Sequence, residues 1–172
     1  MERDNPMNTC EWDSPAGLPQ QSTSNTYVPT FAAWTTYVYS EMGITTEVLP
    51  TNSPYLNLSW DVMCNIINPG LVAIGSPIFM LACFYLASSN LINFAQDQPD
   101  QTFFSDLRKR WDINSFVSGV VSSSSDEGTS TGLLNPRAFA NLTLADLQYL
   151  KDPFGRQYLA IAQRFGTLWG LS

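Results

Sequence analysis

Ser76-Pro77-Ile78-Phe79-Met80-Leu81-Ala82-Cys83-Phe84-Tyr85-Leu86-Ala87 is the stretch that decides the fold. Ser76-Pro77 is a helix-start signal: a short polar residue that can cap, then a proline in the first turn, where its missing N–H is not needed. From Ile78 to about Ala95 the chain is apolar nearly all round. A helix without a polar face belongs in the middle of a bundle or in a membrane. A spanning helix needs about 20 apolar residues, with Lys or Arg nearby to orient insertion. No charge lies between Asp61 and Asp97, but Pro69-Gly70 and Gly75-Ser76-Pro77 interrupt the run. Ser88-Ser89-Asn90 comes after it, and both flanks are acidic. The stretch therefore reads as the central buried helix of a mainly α-helical bundle. A membrane-associated segment over residues 71–95 is the rival.

Upstream, Ser53-Pro54 repeats the start signal and Pro69-Gly70 supplies the stop, which predicts a helix from Pro54 to about Asn68. Tyr55, Leu58, Val62 and Ile66, with Met63 beside them, are its expected core face. Pro29 and Gly43 bracket another helix over 30–42, with Phe31, Trp34, Val38 and Met42 at helical spacing. Residues 1–26 are polar and broken by Pro6, Pro15, Gly17 and Pro19. They read as a disordered or extended N-terminal arm, with Trp12 available as an anchor.

Downstream, Thr102 to Trp111 predicts a short helix, and Arg108-Lys109-Arg110 reads as a solvated turn. Asp112 to Ser125 is β-branched and serine-rich, which favours a strand or hairpin, and Asp126 to Pro136 a polar loop. Together they form a loop insertion of about 112–136. Thr143 opens a short helix carrying Leu144, Leu147 and Leu150. Asp152-Pro153 then starts the terminal helix, where Phe154, Tyr158, Ile161 and Phe165 share a face and Arg156 and Arg164 lie off it. Such a helix docks on its own core or on a neighbouring subunit.

Composition narrows the chemistry. The chain has 172 residues, enough for one domain, and is 44% hydrophobic. Only 13% of residues are charged, about half the usual share. Sparse charge with ten Phe and five Trp points to surface covered by partners. Residues 1–107 carry ten acids and one base, and residues 108–172 five acids and seven bases, for a net charge of −7. That disfavours a general grip on nucleic acid. The absence of histidine removes His-based triads, imidazole zinc ligands and imidazole acid–base chemistry. No phosphate loop, paired-cysteine metal motif or serine nucleophile elbow occurs. Asp97, Asp100 and Asp106 are irregularly spaced around Pro99 and read as an acidic turn over a cation site. Cys10, Cys64 and Cys83 have no framework spacing; Cys64 and Cys83 read as small core residues in a reducing compartment. The acidic, polar N-terminus does not read as a signal peptide, which needs a basic and then an apolar segment, and none is expected. No enzyme, cofactor or metal is expected.

Two stretches, Ser115-Phe116-Val117-Ser118-Gly119-Val120-Val121-Ser122 and Pro153-Phe154-Gly155-Arg156-Gln157-Tyr158-Leu159, come in the order buried helix, strand, variable loop, leucine-bearing helix, terminal helix. In this the chain resembles the head–tail adaptor (connector, or head-completion) proteins of tailed bacteriophages over about residues 54–165. The resemblance implies a small helical bundle with a β-hairpin or loop insertion and a C-terminal helix plus tail. It implies a virion protein of the neck, assembled in the host cytoplasm as a ring of typically twelve copies below the portal. Partners would be sister copies, the portal protein, a tail or nozzle protein, and genomic DNA passing through the lumen without sequence-specific binding. On that basis Phe154, Arg156, Tyr158, Arg164 and Trp169 are the expected portal or subunit interface, within a docking segment of about 152–172. Phe116, Val117, Val120 and Val121 would form the strand or loop that reaches the next subunit. Another neck, tail or capsid-associated component is the alternative within the same class.

Overall fold

The structure, a computed structural model, describes residues 29–67, 77–114, 123–126, 129–132 and 148–165. It is mainly helical, as expected: α1 (Phe31–Ser40), α2 (Pro54–Ile66), α3 (Pro77–Phe94), α4 (Phe103–Arg110) and α5 (Pro153–Phe165). Two short strands, β1 (Ser123–Asp126) and β2 (Thr129–Gly132), pair antiparallel with Ser124 opposite Thr131 and Ser125 opposite Ser130. The hairpin thus occupies the polar Ser/Thr stretch. The strand expected over 112–125 does not begin at Asp112, because residues 111–114 form a turn that closes α4.

Three of the helices begin on their proline, at Pro54, Pro77 and Pro153. The caps differ. Thr30 accepts a hydrogen bond from the Ala33 N–H at 3.2 Å and opens α1. Ser53 does not cap α2 through its side chain; its hydroxyl is buried without a partner, and only its carbonyl receives the Leu56 N–H, at 3.2 Å. Gly43, just past α1, has φ +65°, a left-handed conformation that costs glycine little.

α3 lies at the centre, packed between α2 and α5, with α1 and α4 also against it. Its length and composition suffice to cross a membrane, but 61% of it is buried inside the chain. Its polar residues are bonded to neighbouring elements. Trp34 of α1 donates its indole N–H to Ser88 Oγ at 3.2 Å. Asn90 reaches the Ser59 carbonyl of α2 at 3.5 Å. Ser89 donates to Asp152 at 2.6 Å. On α1, Trp34 and Val38 are buried and Phe31 half-buried, which is the face expected from the sequence; the helix stops at Ser40, so Met42, also half-buried, lies just past its end. Trp34 packs against Trp60 of α2 with ring centres 5.7 Å apart, and Phe31 meets Trp60 edge-on at 6.1 Å. Aromatic pairs of this geometry add about 0.5–1.5 kcal/mol beyond simple burial.

The face of α2 differs from expectation. Leu56, Ser59, Trp60 and Met63 are buried, whereas Leu58 is 47% and Ile66 40% exposed, and Tyr55 and Val62 are half-buried. Two apolar stripes run along this helix. The one containing Trp60 turns inward because burying the indole removes more apolar surface from water than burying Leu58. Cys64 is disulfide-bonded, and Cys83 is a buried free thiol. The expectation of two inert core thiols therefore holds for Cys83 alone, and the cysteines no longer argue for a reducing compartment.

Candidate functional site

The terminal helix is joined to the central one by a buried polar junction. Asp152 is fully buried at the N-cap of α5. One carboxylate oxygen accepts the Gly155 N–H at 2.7 Å, and the other accepts the Ser89 hydroxyl at 2.6 Å. Burial pushes the Asp152 pKa up; the Ser89 hydroxyl, the Gly155 and Phe154 N–H groups and the Arg156 charge oppose this without cancelling it. Gly155 presses on the preceding turn so closely that a Cβ there would meet the Tyr149 carbonyl oxygen and lie 2.7 Å from the Tyr149 Cα. Tyr158 is 1% exposed, with its ring edge-on to Tyr149 at 5.9 Å.

A second cluster holds α4 against the end of α3. Arg108 is buried and donates from one terminal nitrogen to the Ile92 and Ala95 carbonyls, at 2.8 and 2.6 Å. A guanidinium on the last carbonyls of a helix satisfies acceptors the helix cannot and complements its dipole. Asp97 caps α4 from outside: its carboxylate accepts the Phe104 N–H at 2.6 Å, the Ser105 N–H at 2.9 Å and the Ser105 hydroxyl. At the other end, Ile113 N–H bonds the Arg108 carbonyl at 2.9 Å and Asp112 N–H bonds the Lys109 carbonyl at 3.2 Å, with Asp112 at φ +53°. That pattern is a Schellman stop in which Asp112 takes the place usually held by glycine. The basic run is therefore the closing turn of α4 with one member buried, and not a wholly solvated turn.

Two expected outcomes rest on these bonds. Arg108→Met is expected to cost about 2–3 kcal/mol in thermal unfolding, since two buried carbonyls lose a charged donor. Asp97 is partly desolvated, which favours the neutral acid, but the Ser105 hydroxyl, the two N–H donors and the Arg108 charge outweigh this and hold its pKa below the ordinary carboxylate range. Its contribution is therefore present above the unfolded pKa of about 3.9 and lost as pH falls through the lower folded value. Asp97→Asn is expected to remove that acid-side loss from melting curves and to cost about 1 kcal/mol at neutral pH.

Between these elements opens a groove of about 600 Å³, with Asn93 and Gln96 on one side and Arg108, Lys109, Asp112 and Asn114 on the other. Asn93 is already engaged, accepting from Gln148 at 2.8 Å and donating to the Ser89 carbonyl at 2.8 Å. Lys151 donates to the Ile113 carbonyl at 2.9 Å. Among the described residues, no three His, Cys, Asp or Glu side chains gather where a metal could sit. Burial pushes the Cys83 thiol up, which makes it a poor nucleophile.

The residues expected at an interface separate into groups. Arg156 and Arg164 are exposed on α5. Phe154 is half-buried, its ring 6.5 Å from that of Tyr85. Tyr158 is a correction: it lies in this chain's own core and presents no surface for a partner. The buried face of α5 is Gly155, Tyr158, Leu159 and Ala162, turned from the expected Phe154–Ile161 stripe by the close approach of Gly155. Phe116, Val117, Val120, Val121, Trp169, the helix start at Thr143 and the arm of residues 1–26 lie outside the described residues. Spacing gave no sign of Arg108 or Asp97 as structural groups, because each acts on a neighbouring element. No family model matches the chain, and neither does any curated protein or solved structure.

Proposed function

We propose that this chain is a structural protein of a tailed-phage particle: a head-to-tail connector adaptor that forms a ring beneath the portal, extends the DNA channel and joins capsid to tail. The observation that carries the proposal is where the polar and apolar groups are spent. Ser88, Ser89, Arg108 and Asp152 are buried and bonded to the chain itself, so they act as fasteners and not as reagents. Meanwhile Leu58, Ile66 and Ile78 stand 40–47% exposed on a chain with few charges, which suits a surface that a partner covers. The buried central helix and the terminal helix come in the order the adaptor resemblance implies, with α4 as an added helix between them, while the matched strand stretch 115–122 lies outside the described residues. Arg156 and Arg164 are the exposed cations of α5 and would pair with acids of the portal or of a sister copy. A net acidic wall would let DNA slide without adhering.

The test is the particle mass of the purified, detergent-free chain, alone and with portal rings. About twelve copies per particle, formed alone or on the portal, is the expected result. A different ring size favours another neck or tail component. A monomer indifferent to the portal overturns the proposal, and a chain that stays in solution only with detergent favours the membrane alternative through α3.

A further inference from the structure

We propose that one flank of α2 is the docking site of this chain's own N-terminal arm, residues 1–28, fastened there by a disulfide between Cys10 and Cys64. Cys64 is disulfide-bonded. The chain has three cysteines, and Cys83 is a free thiol with no exposed surface. Cys10 is therefore the one partner left to Cys64 within the chain. A disulfide holds its two Cα atoms about 4.4–6.8 Å apart, so such a bond lays the backbone of the arm against α2. The proposal does not depend on ring assembly.

Asn57, Asp61 and Cys64 follow one another at helical spacing and form a stripe along α2. All three are half-buried, and the stripe runs between the inward side with Trp60 and the outward side with Leu58. On it, the Asn57 side-chain oxygen is buried without a hydrogen-bond partner. A lone buried acceptor is costly, and an extended segment laid along this flank brings backbone N–H groups of the kind that would satisfy it. The chain also enters the bundle at this place. Buried Pro29 lies two residues before Phe31, whose ring meets Trp60 edge-on at 6.1 Å, and Trp60 precedes Cys64 by about one helical turn. Residues 11–28 link Cys10 to Pro29. Extended, they reach about 60 Å, ample for the arm to leave α1 and return to Cys64 of the same copy. That proximity favours the chain's own arm over the arm of a second copy. Cys10 and Trp12 fall on the same side of an extended segment, so Trp12 would press on α2 beside the bond.

The experiment uses the full chain, oxidised with glutathione disulfide, and reads the bond and the docking separately. After alkylation in denaturant without reduction, a peptide map should join the Cys10 and Cys64 peptides and show label on Cys83 alone. Non-reducing electrophoresis should show a single-copy band. Chymotrypsin has sites in the arm at Trp12 and Tyr27. Cleavage there should be about tenfold or more slower in the oxidised chain than after reduction. Dithiothreitol serves as the reductant: it returns both cysteines to thiols and is itself oxidised to a cyclic disulfide. Cys10→Ser should be cut at the reduced rate with or without the reagent, and should melt about 4–16 °C below the oxidised wild type. Label on both Cys10 and Cys64, a link from Cys64 to Cys83 or to glutathione, or a disulfide-linked dimer overturns the pairing. A Cys10–Cys64 bond with equally fast cleavage in both states overturns the docking. None of these outcomes turns on the particle mass that tests the connector reading.

Discussion

Gly155→Ala is expected to lower stability by about 3 kcal/mol, the upper end of what overpacking costs. In a chain of this length that is a fall in Tm of about 6–12 °C. Helix propensity predicts the opposite sign: alanine inside a helix should gain about 1 kcal/mol over glycine. The two effects are therefore separable by direction. The added methyl would collide with the Tyr149 carbonyl oxygen and sit 2.7 and 2.8 Å from the Tyr149 Cα and carbonyl carbon, all backbone atoms. Neither side can yield cheaply, because the Tyr149 ring is held edge-on against buried Tyr158. A thermal melt showing a stabilised Gly155→Ala protein would mean that α5 does not approach the turn as described.

Asp152→Ala is the second large effect, a loss of about 2–4 kcal/mol. A lost N-cap accounts for about 1 kcal/mol. The remainder is the buried Ser89 hydroxyl left without its acceptor, about 1–3 kcal/mol. Asp152→Asn keeps the shape and one accepting oxygen, so it isolates the charge. Because burial raises the Asp152 pKa, the folded chain holds that proton more tightly than the unfolded chain does. The resulting stabilisation is fully present below the ordinary carboxylate pKa of about 3.9 and is lost as pH rises through the higher folded value. Wild-type stability measured relative to Asp152→Asn should therefore decline with rising pH across that window. This is the reverse of the slope contributed by Asp97, so denaturant titrations of the two asparagine variants should move in opposite directions with pH.

Local start signals were the most legible part of the sequence. Pro54, Pro77 and Pro153 each open a helix because a proline in the first turn satisfies a purely local constraint. The central placement of α3 was equally readable, since a helix without a polar face has no other place in a bundle. Azimuth was less readable. On α2, Leu58 and Ile66 have the right spacing yet face outward, because the choice between two apolar stripes is made by Trp60 meeting Trp34 and Phe31 on another helix. On α5 the stripe is rotated by the backbone contact of Gly155, which no hydrophobicity pattern encodes. Arg108 looked like one of three solvated cations because its acceptors, the Ile92 and Ala95 carbonyls, belong to the preceding helix and its end. Most of the expected interface also fell outside the described residues or, for Tyr158, inside the core.

Ser88, Ser89 and Asn90 are consecutive on α3, yet each is bonded to a different helix or helix cap: α1, the start of α5, and α2. Successive side chains on a helix project about 100° apart, so three in a row address three directions. Turning α3 by one residue, or sliding it by one step, would break all three bonds together. Oily neighbours alone would tolerate such slippage; this triplet works like the wards of a lock and admits a single setting. A chain pinned in this way holds α1, α2 and the start of α5 in one register around α3.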